Sequence, residues 1–111
     1  MAAFFLGRNQ HRPWIMDAAS GTALLAQGID PRQALRTHPQ AVACVHRAHV
    51  EAGAEIVLTA TFQVLDEAMC HRAVELARVA GPRAVLGSIG PVNRVDLAPM
   101  VAGLEEADGL L

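Results

Sequence analysis

Residues 37–62 constrain the fold of this 111-residue chain more than any other stretch, because a one-sided helix, a glycine stop and an unalternating apolar strand follow one another without a break. Thr37 and Gln40 have the spacing of a capping box, in which two side chains satisfy two unpaired amides at a helix start. Pro39 falls in the first turn, where a missing N–H costs least. Ala41, Val42, Val45, Ala48 and Ala52 recur with the 3.6-residue period of one buried face, and Gly53 follows as a left-handed cap. Ile56, Val57 and Leu58 are continuously apolar, as expected of a strand covered on both faces. Thr59, Thr61 and Gln63 come at its C-terminal end, where parallel α/β folds carry their chemistry.

The same alternation extends along the chain. Trp14 to Asp17 is expected as a first strand, after a lead-in over residues 1–13 that has no clear period and is polar from Arg8 to Arg12. Ser20 is expected to cap a short helix that carries Leu24 and Leu25 and ends at Gly28, with a connecting segment from Asp30 to Arg36. Asp66 is expected to cap a further helix with Met69, Ala73, Leu76, Ala77 and Ala80 on one face, stopped by Gly81-Pro82. A strand over Ala84 to Ser88, a helix over Asp96 to Ala107 with Pro99 in its first turn, and a strand beginning at Gly109 complete the series. The order βαβαβα plus a partial strand implies parallel strands joined by right-handed crossovers. Periodicity alone admits a doubly wound sheet and a barrel equally.

Length and composition narrow what such a chain does. One small domain with a real core fits in 111 residues, whereas a full eight-stranded α/β barrel takes roughly 250. The chain is 52% hydrophobic and 18% charged, with mean hydropathy +0.28, so apolar surface is expected in excess of what one small domain covers itself. A formal charge of −2 and 4% aromatic residues argue against nucleic-acid binding, which relies on basic surface and stacking. No apolar run reaches the length of a membrane span or a signal core, so a cytoplasmic chain with no membrane partner is expected. Cys44 and Cys70 lie in helical segments without metal or redox spacing and are expected as packed, reduced thiols.

The segment running from His38-Pro39-Gln40-Ala41-Val42 through His46 and Ala52-Gly53-Ala54 to Thr59-Ala60-Thr61-Phe62 resembles the signature of the homocysteine S-methyltransferase family, the zinc-dependent homocysteine-binding barrels. Trp14-Ile15-Met16-Asp17-Ala18-Ala19-Ser20-Gly21-Thr22 is similar to the family's opening strand and turn, and Gly87-Ser88-Ile89-Gly90-Pro91 to its third-strand turn. Three motifs in the family's order cover the chain from about Trp14 onward.

The resemblance implies the N-terminal half of a TIM-type (β/α)8 barrel over residues 14–111. It implies transfer of a methyl group from an unidentified donor to the homocysteine thiol, forming methionine as in methionine biosynthesis. The substrate-binding residues it implies are Asp17 for the amino group, with Thr59 and Phe62 lining the pocket. Zinc is implied for the complete domain, held by three cysteines of the second half, so this chain supplies no metal ligand and no catalytic residue and is expected to be inactive alone. A missing C-terminal half-barrel or a second copy is the implied partner, and a noncatalytic half-barrel acting by association is the alternative.

Several residues depart from the family pattern. Ala18 stands where glycine is preferred, Ala60 where asparagine is common and His49 where an aromatic is usual. His46 and His49, at i and i+3, are expected to pack on the helix or lie at the surface rather than bind metal.

Overall fold

The computed structural model describes residues 13–18, 20–62, 64, 66–90 and 97–111. The elements, in chain order, are α1 (Ser20–Ala26), α2 (Ala34–Thr37), α3 (Pro39–Glu51), β1 (Ile56–Leu58), α4 (Glu67–Val79), β2 (Ala84–Gly87), α5 (Ala98–Gly103) and β3 (Gly109–Leu110). Residues 14–17 run beside β1 in parallel. Met16 pairs with Ile56, and Asp17 N–H donates to Ile56 O at 3.0 Å.

The sheet order is β1-β2-β3, all parallel, with Ile56, Val57 and Leu58 registered against Ala84, Val85 and Leu86, and Leu86 against Gly109. With residues 14–17 on the outer side of β1, sequence order equals spatial order, and no strand reverses direction across the sheet. A doubly wound sheet reverses its order at a switch point, and none occurs among the described strands. Right-handed crossovers between consecutive neighbours place the connecting helices on one face. The helices pack side by side accordingly, α1 on α3, α3 on α4 and α4 on α5.

Side-chain alternation then divides the sheet into a face packed on the helices and an opposite face that is partly exposed. Val57 and Val85 are buried against Ala77 of α4. Ile56, Leu58 and Leu86 have the opposite parity. The main core lies among the helices, where Leu24, Leu35, Val42, Val45, Cys70, Val74, Met100 and Leu104 form one buried cluster. Such contacts hold the six-residue α5, since a helix this short is marginal on its own. Gly103 lets α5 approach α4 closely, for a Cβ there would lie 2.7 Å from Cys70 Cβ.

Several local expectations change. The Thr37 capping box does not form: the α3 N-cap is His38 without a side-chain cap bond, and Thr37 Oγ1 donates instead to Gln33 O at 3.0 Å. The reason is that Ala34–Thr37 is itself a turn of helix, which uses Thr37 as a last-turn residue. The segment from Asp30 to Arg36 is therefore partly helical rather than purely connecting. Ser20 is the first residue of α1, not its cap, and Leu25 on that helix is exposed.

At the other boundaries, Asp66 caps α4 as expected, its Oδ1 accepting from Ala68 N at 2.9 Å. The buried stripe of α4 is Cys70, Ala73, Val74 and Ala77, rotated slightly from the expected face. Helix α5 is shorter than expected, ending at Gly103. Gly53 and Gly81 do take positive φ, +116° and +79°. The lead-in over residues 1–12, Gln63, Pro91 and Asp96 lie outside the described residues.

Candidate functional site

The C-terminal ends of β1 and β2 open onto a cavity of about 680 Å³. Its walls come from the first turn (Ala18, Ser20, Gly21, Thr22), from the end of β1 (Leu58, Thr59, Ala60, Phe62), from the end of β2 (Ser88, Ile89), and from Leu24, Leu25, Pro31 and Leu111. The lining is mainly apolar with a few hydroxyl and backbone groups, the usual composition of a small-molecule site.

Thr59 and Phe62 both stand on this wall. Phe62 is 55% exposed, an aromatic ring offered to the cavity rather than to the core. Its backbone packs directly on Gly90, where a Cβ would collide with Phe62 O. Thr59 is buried apart from its contribution to the lining, and its hydroxyl is engaged with the next strand. Ser88 N donates to Thr59 Oγ1 at 3.0 Å, Thr59 Oγ1 lies 2.7 Å from Thr61 Oγ1, and Thr61 Oγ1 donates to Ser88 O at 2.7 Å. Thr61 is fully buried and locks the two strand ends together.

Asp17 lies elsewhere. It is not among the lining residues, although its neighbour Ala18 is. Its carboxylate is turned toward α3: Oδ1 accepts from Leu58 N at 3.2 Å, Oδ2 lies 3.6 Å from His49 Nδ1, and the side chain is 1% exposed. Burial raises the Asp17 pKa above the usual carboxylate range, while the Leu58 amide and the His49 charge act in the opposite sense. His46, one turn before His49 on α3, is 0% exposed, and burial, assisted by His49, pushes its pKa down to about 4. Asp17 Oδ2, His49 Nδ1 and both His46 ring nitrogens have no hydrogen-bond partner among the described residues.

The residue types at these strand ends were visible in the sequence, as was the helical spacing of the two histidines. The partnership of Asp17 with His49 was not, because it joins residues thirty-two apart across an element boundary. The only trace of it in the sequence is His49 itself, standing where the family usually has an aromatic.

No cluster of three His, Cys, Asp or Glu side chains among the described residues is placed to hold a metal ion. Both cysteines are free. Cys44 is exposed on α3, contrary to the expectation of a packed thiol, because it lies off the stripe formed by Val42, Val45 and His46. Cys70 is buried on α4 and its thiol donates to Val64 O at 3.5 Å. Burial, with Asp66 adding, pushes that thiol up to about 11. With no convergent set of three ligands, the described residues do not fit a zinc site.

A similar fold is found in solved proteins. The chain is similar to the apo crystal structure of the homocysteine methyltransferase MmuM from Escherichia coli, with 28% identity and a TM-score of 0.77 over 95% of this chain and 50% of that one. The oxidised form of that protein matches with 24% identity and a TM-score of 0.77, covering 95% of this chain and 54% of that one. The metallated form matches with 22% identity and a TM-score of 0.76, covering 94% and 55% respectively. At these lower identities the two further likenesses carry the fold alone. The chain thus spans about half the length of the structures it matches. No curated protein matches it by sequence. No helix among the described residues is long and apolar enough to cross a membrane. The family model for homocysteine S-methyltransferase matches residues 14–107, nearly the whole described chain, and the chain belongs to that family.

Proposed function

We propose that this chain is the N-terminal half of a homocysteine-binding (β/α)8 barrel, and that it supplies one wall of the homocysteine site of a methyltransferase that makes methionine. The observation that carries this reading is the cavity at the C-terminal ends of consecutive parallel strands, lined by the residues of all three family motifs. Barrel enzymes place their sites at that face. Phe62 presents an aromatic surface to the substrate's methylene chain and Thr59 a polar one, while the Asp17 carboxylate stays outside the lining, turned toward α3. Thr59 and Phe62 bind and orient, and Asp17 supports the wall from behind; none of the three activates a thiol. The described residues form no zinc site, so in this reading the metal and its chemistry belong to the half of the relatives' length that this chain does not match. A cytoplasmic setting suits two free thiols. Titration calorimetry tests the reading: L-homocysteine is expected to bind saturably and methyl transfer by the isolated chain to be absent. A chain that gives no saturable heat with homocysteine contradicts it.

A second reading, association without catalysis, is favoured by apolar side chains exposed at the edges of the opposite face. Met16 is 45% and Leu111 62% exposed, at the two ends of the parallel array. An apolar face between open strand edges favours pairing with another chain. Sedimentation velocity across a concentration series is expected to show a species larger than the 11.8 kDa monomer. A monomer at every concentration speaks against this reading.

A further inference from the structure

The hydrogen bonds that join Thr59, Thr61 and Ser88 run in only one direction. Ser88 O is a carbonyl, so Thr61 is the donor in their 2.7 Å bond. A hydroxyl has one proton. With its proton committed to Ser88, Thr61 is the acceptor in the 2.7 Å contact with Thr59, and Thr59 is the donor. Thr59 Oγ1 also accepts the Ser88 amide at 3.0 Å. Thr59 therefore has no proton to offer a ligand and one lone pair left, and Thr59 is among the residues that line the cavity.

We infer that Thr61, buried and outside the cavity lining, fixes the polarity of the cavity wall by holding Thr59 as an acceptor only, so that this position takes a ligand N–H, such as the ammonium of an amino acid, and disfavours a carboxylate. A carboxylate placed against Thr59 meets lone pair with lone pair. To be accommodated it must turn the Thr59 hydroxyl away from Thr61, which leaves the buried Thr61 oxygen with one hydrogen bond fewer. Sites of this kind discriminate strongly, because the wrong ligand leaves buried polar groups unpaired. Thr61 is a positioning residue here, acting through Thr59. The amino-acid ammonium rests on the homocysteine reading above, whereas the acceptor-only character of Thr59 follows from the ring itself.

The test compares two probes that differ only in their charged end, n-butylamine and butyrate, titrated into the 111-residue chain near neutral pH and followed by amide chemical shifts at Thr59 and Ser88. Thr59→Val is expected to weaken butylamine about tenfold, the size of one hydrogen bond to a charged group, and to leave butyrate unchanged. Thr61→Val frees the Thr59 proton and is expected to shift the butylamine-to-butyrate affinity ratio about tenfold toward butyrate. Thr61→Ser keeps the ring and is expected to restore the wild-type ratio. The proposal is overturned if Thr59→Val weakens butyrate instead, if folded Thr61→Val leaves the ratio unchanged, or if neither probe binds the wild-type chain. Should Thr61→Val not fold, the Thr59→Val comparison decides alone. Loss of homocysteine binding with the butylamine effects intact overturns the substrate reading and sustains the polarity. Homocysteine binding without them overturns the polarity alone.

Discussion

Acidifying the folded chain from neutral pH to about pH 4 is expected to lower its stability by about 3 kcal/mol, and His46 is expected to account for most of the loss. The side chain is 0% exposed, both ring nitrogens lack partners among the described residues, and burial holds its pKa down to about 4 against an ordinary 6.5. The sign follows from proton uptake. Between those two values the unfolded chain binds a proton at this histidine and the native chain does not, so stability falls as pH falls through the window. Asp17 acts in the opposite sense. Its pKa is raised, chiefly by burial, so the native state takes that proton before the unfolded state does and is helped by acid. The His46 displacement is the large one, and its sign prevails above the ordinary carboxylate range. Urea titrations across this pH range are the check. His46→Leu is expected to flatten the profile and to raise stability near pH 7 by about 1 kcal/mol, since it removes two buried ring nitrogens without partners. A profile for His46→Leu that falls as steeply as the wild type contradicts the assignment.

Gly90→Ala is expected to destabilise the chain by about 3 kcal/mol, the upper range for forcing atoms into a packed site. The added Cβ would collide with Phe62 O and lie 2.9 Å from Phe62 C, and backbone atoms do not move aside as the end of a flexible side chain does. For a domain of this size that corresponds to a fall in Tm of roughly 10 to 15 °C. Because Phe62 lines the cavity, the same change is expected to weaken homocysteine binding in whatever fraction remains folded. Gly21→Ala is the control: its Cβ meets only Pro31, at 3.7 Å, and it sits in α1, where alanine is the better helix former. Calorimetric scans of the two variants check both expectations. Equal Tm values would mean that the turn after β2 does not bear on Phe62.

The parts of this fold that depend on local chemistry were legible in the sequence. Asp66 caps α4 because an aspartate there satisfies an amide two residues on, and that needs nothing from the rest of the chain. Gly53 and Gly81 stop helices because they take φ values costly for other residues. The parallel strands at Ile56–Leu58 and Ala84–Gly87 followed from unalternating apolar runs. Thr37 illustrates what was lost. Its capping-box spacing is real, but the preceding residues also form a helical turn, and Thr37 is committed to Gln33 instead.

The site was legible as residue types at strand ends and illegible as contacts. Thr59 and Phe62 line the cavity because each follows the end of β1 by a few residues. Thr61 reads in sequence as support for the turn, and only the register of β1 against β2, which sets Ser88 beside both threonines, shows that it orders the Thr59 hydroxyl. Asp17 reads as a residue facing the mouth. Its turn toward α3 depends on His49, whose effect appears only when the helix is packed on the sheet. Sheet order is likewise a property of assembly, and the sequential arrangement of residues 14–17, β1, β2 and β3 has no switch point among the described strands, which periodicity could not show.

The central claim is that the end of this parallel array is a homocysteine wall. Amide chemical-shift mapping during an L-homocysteine titration, with the thiol kept reduced, tests it most directly. The account predicts saturable shifts concentrated at Ala18, at Leu58 through Phe62 and at Ser88 through Gly90, with α4 and α5 undisturbed. Absence of saturable shifts, or shifts confined to the exposed helical faces, would contradict it.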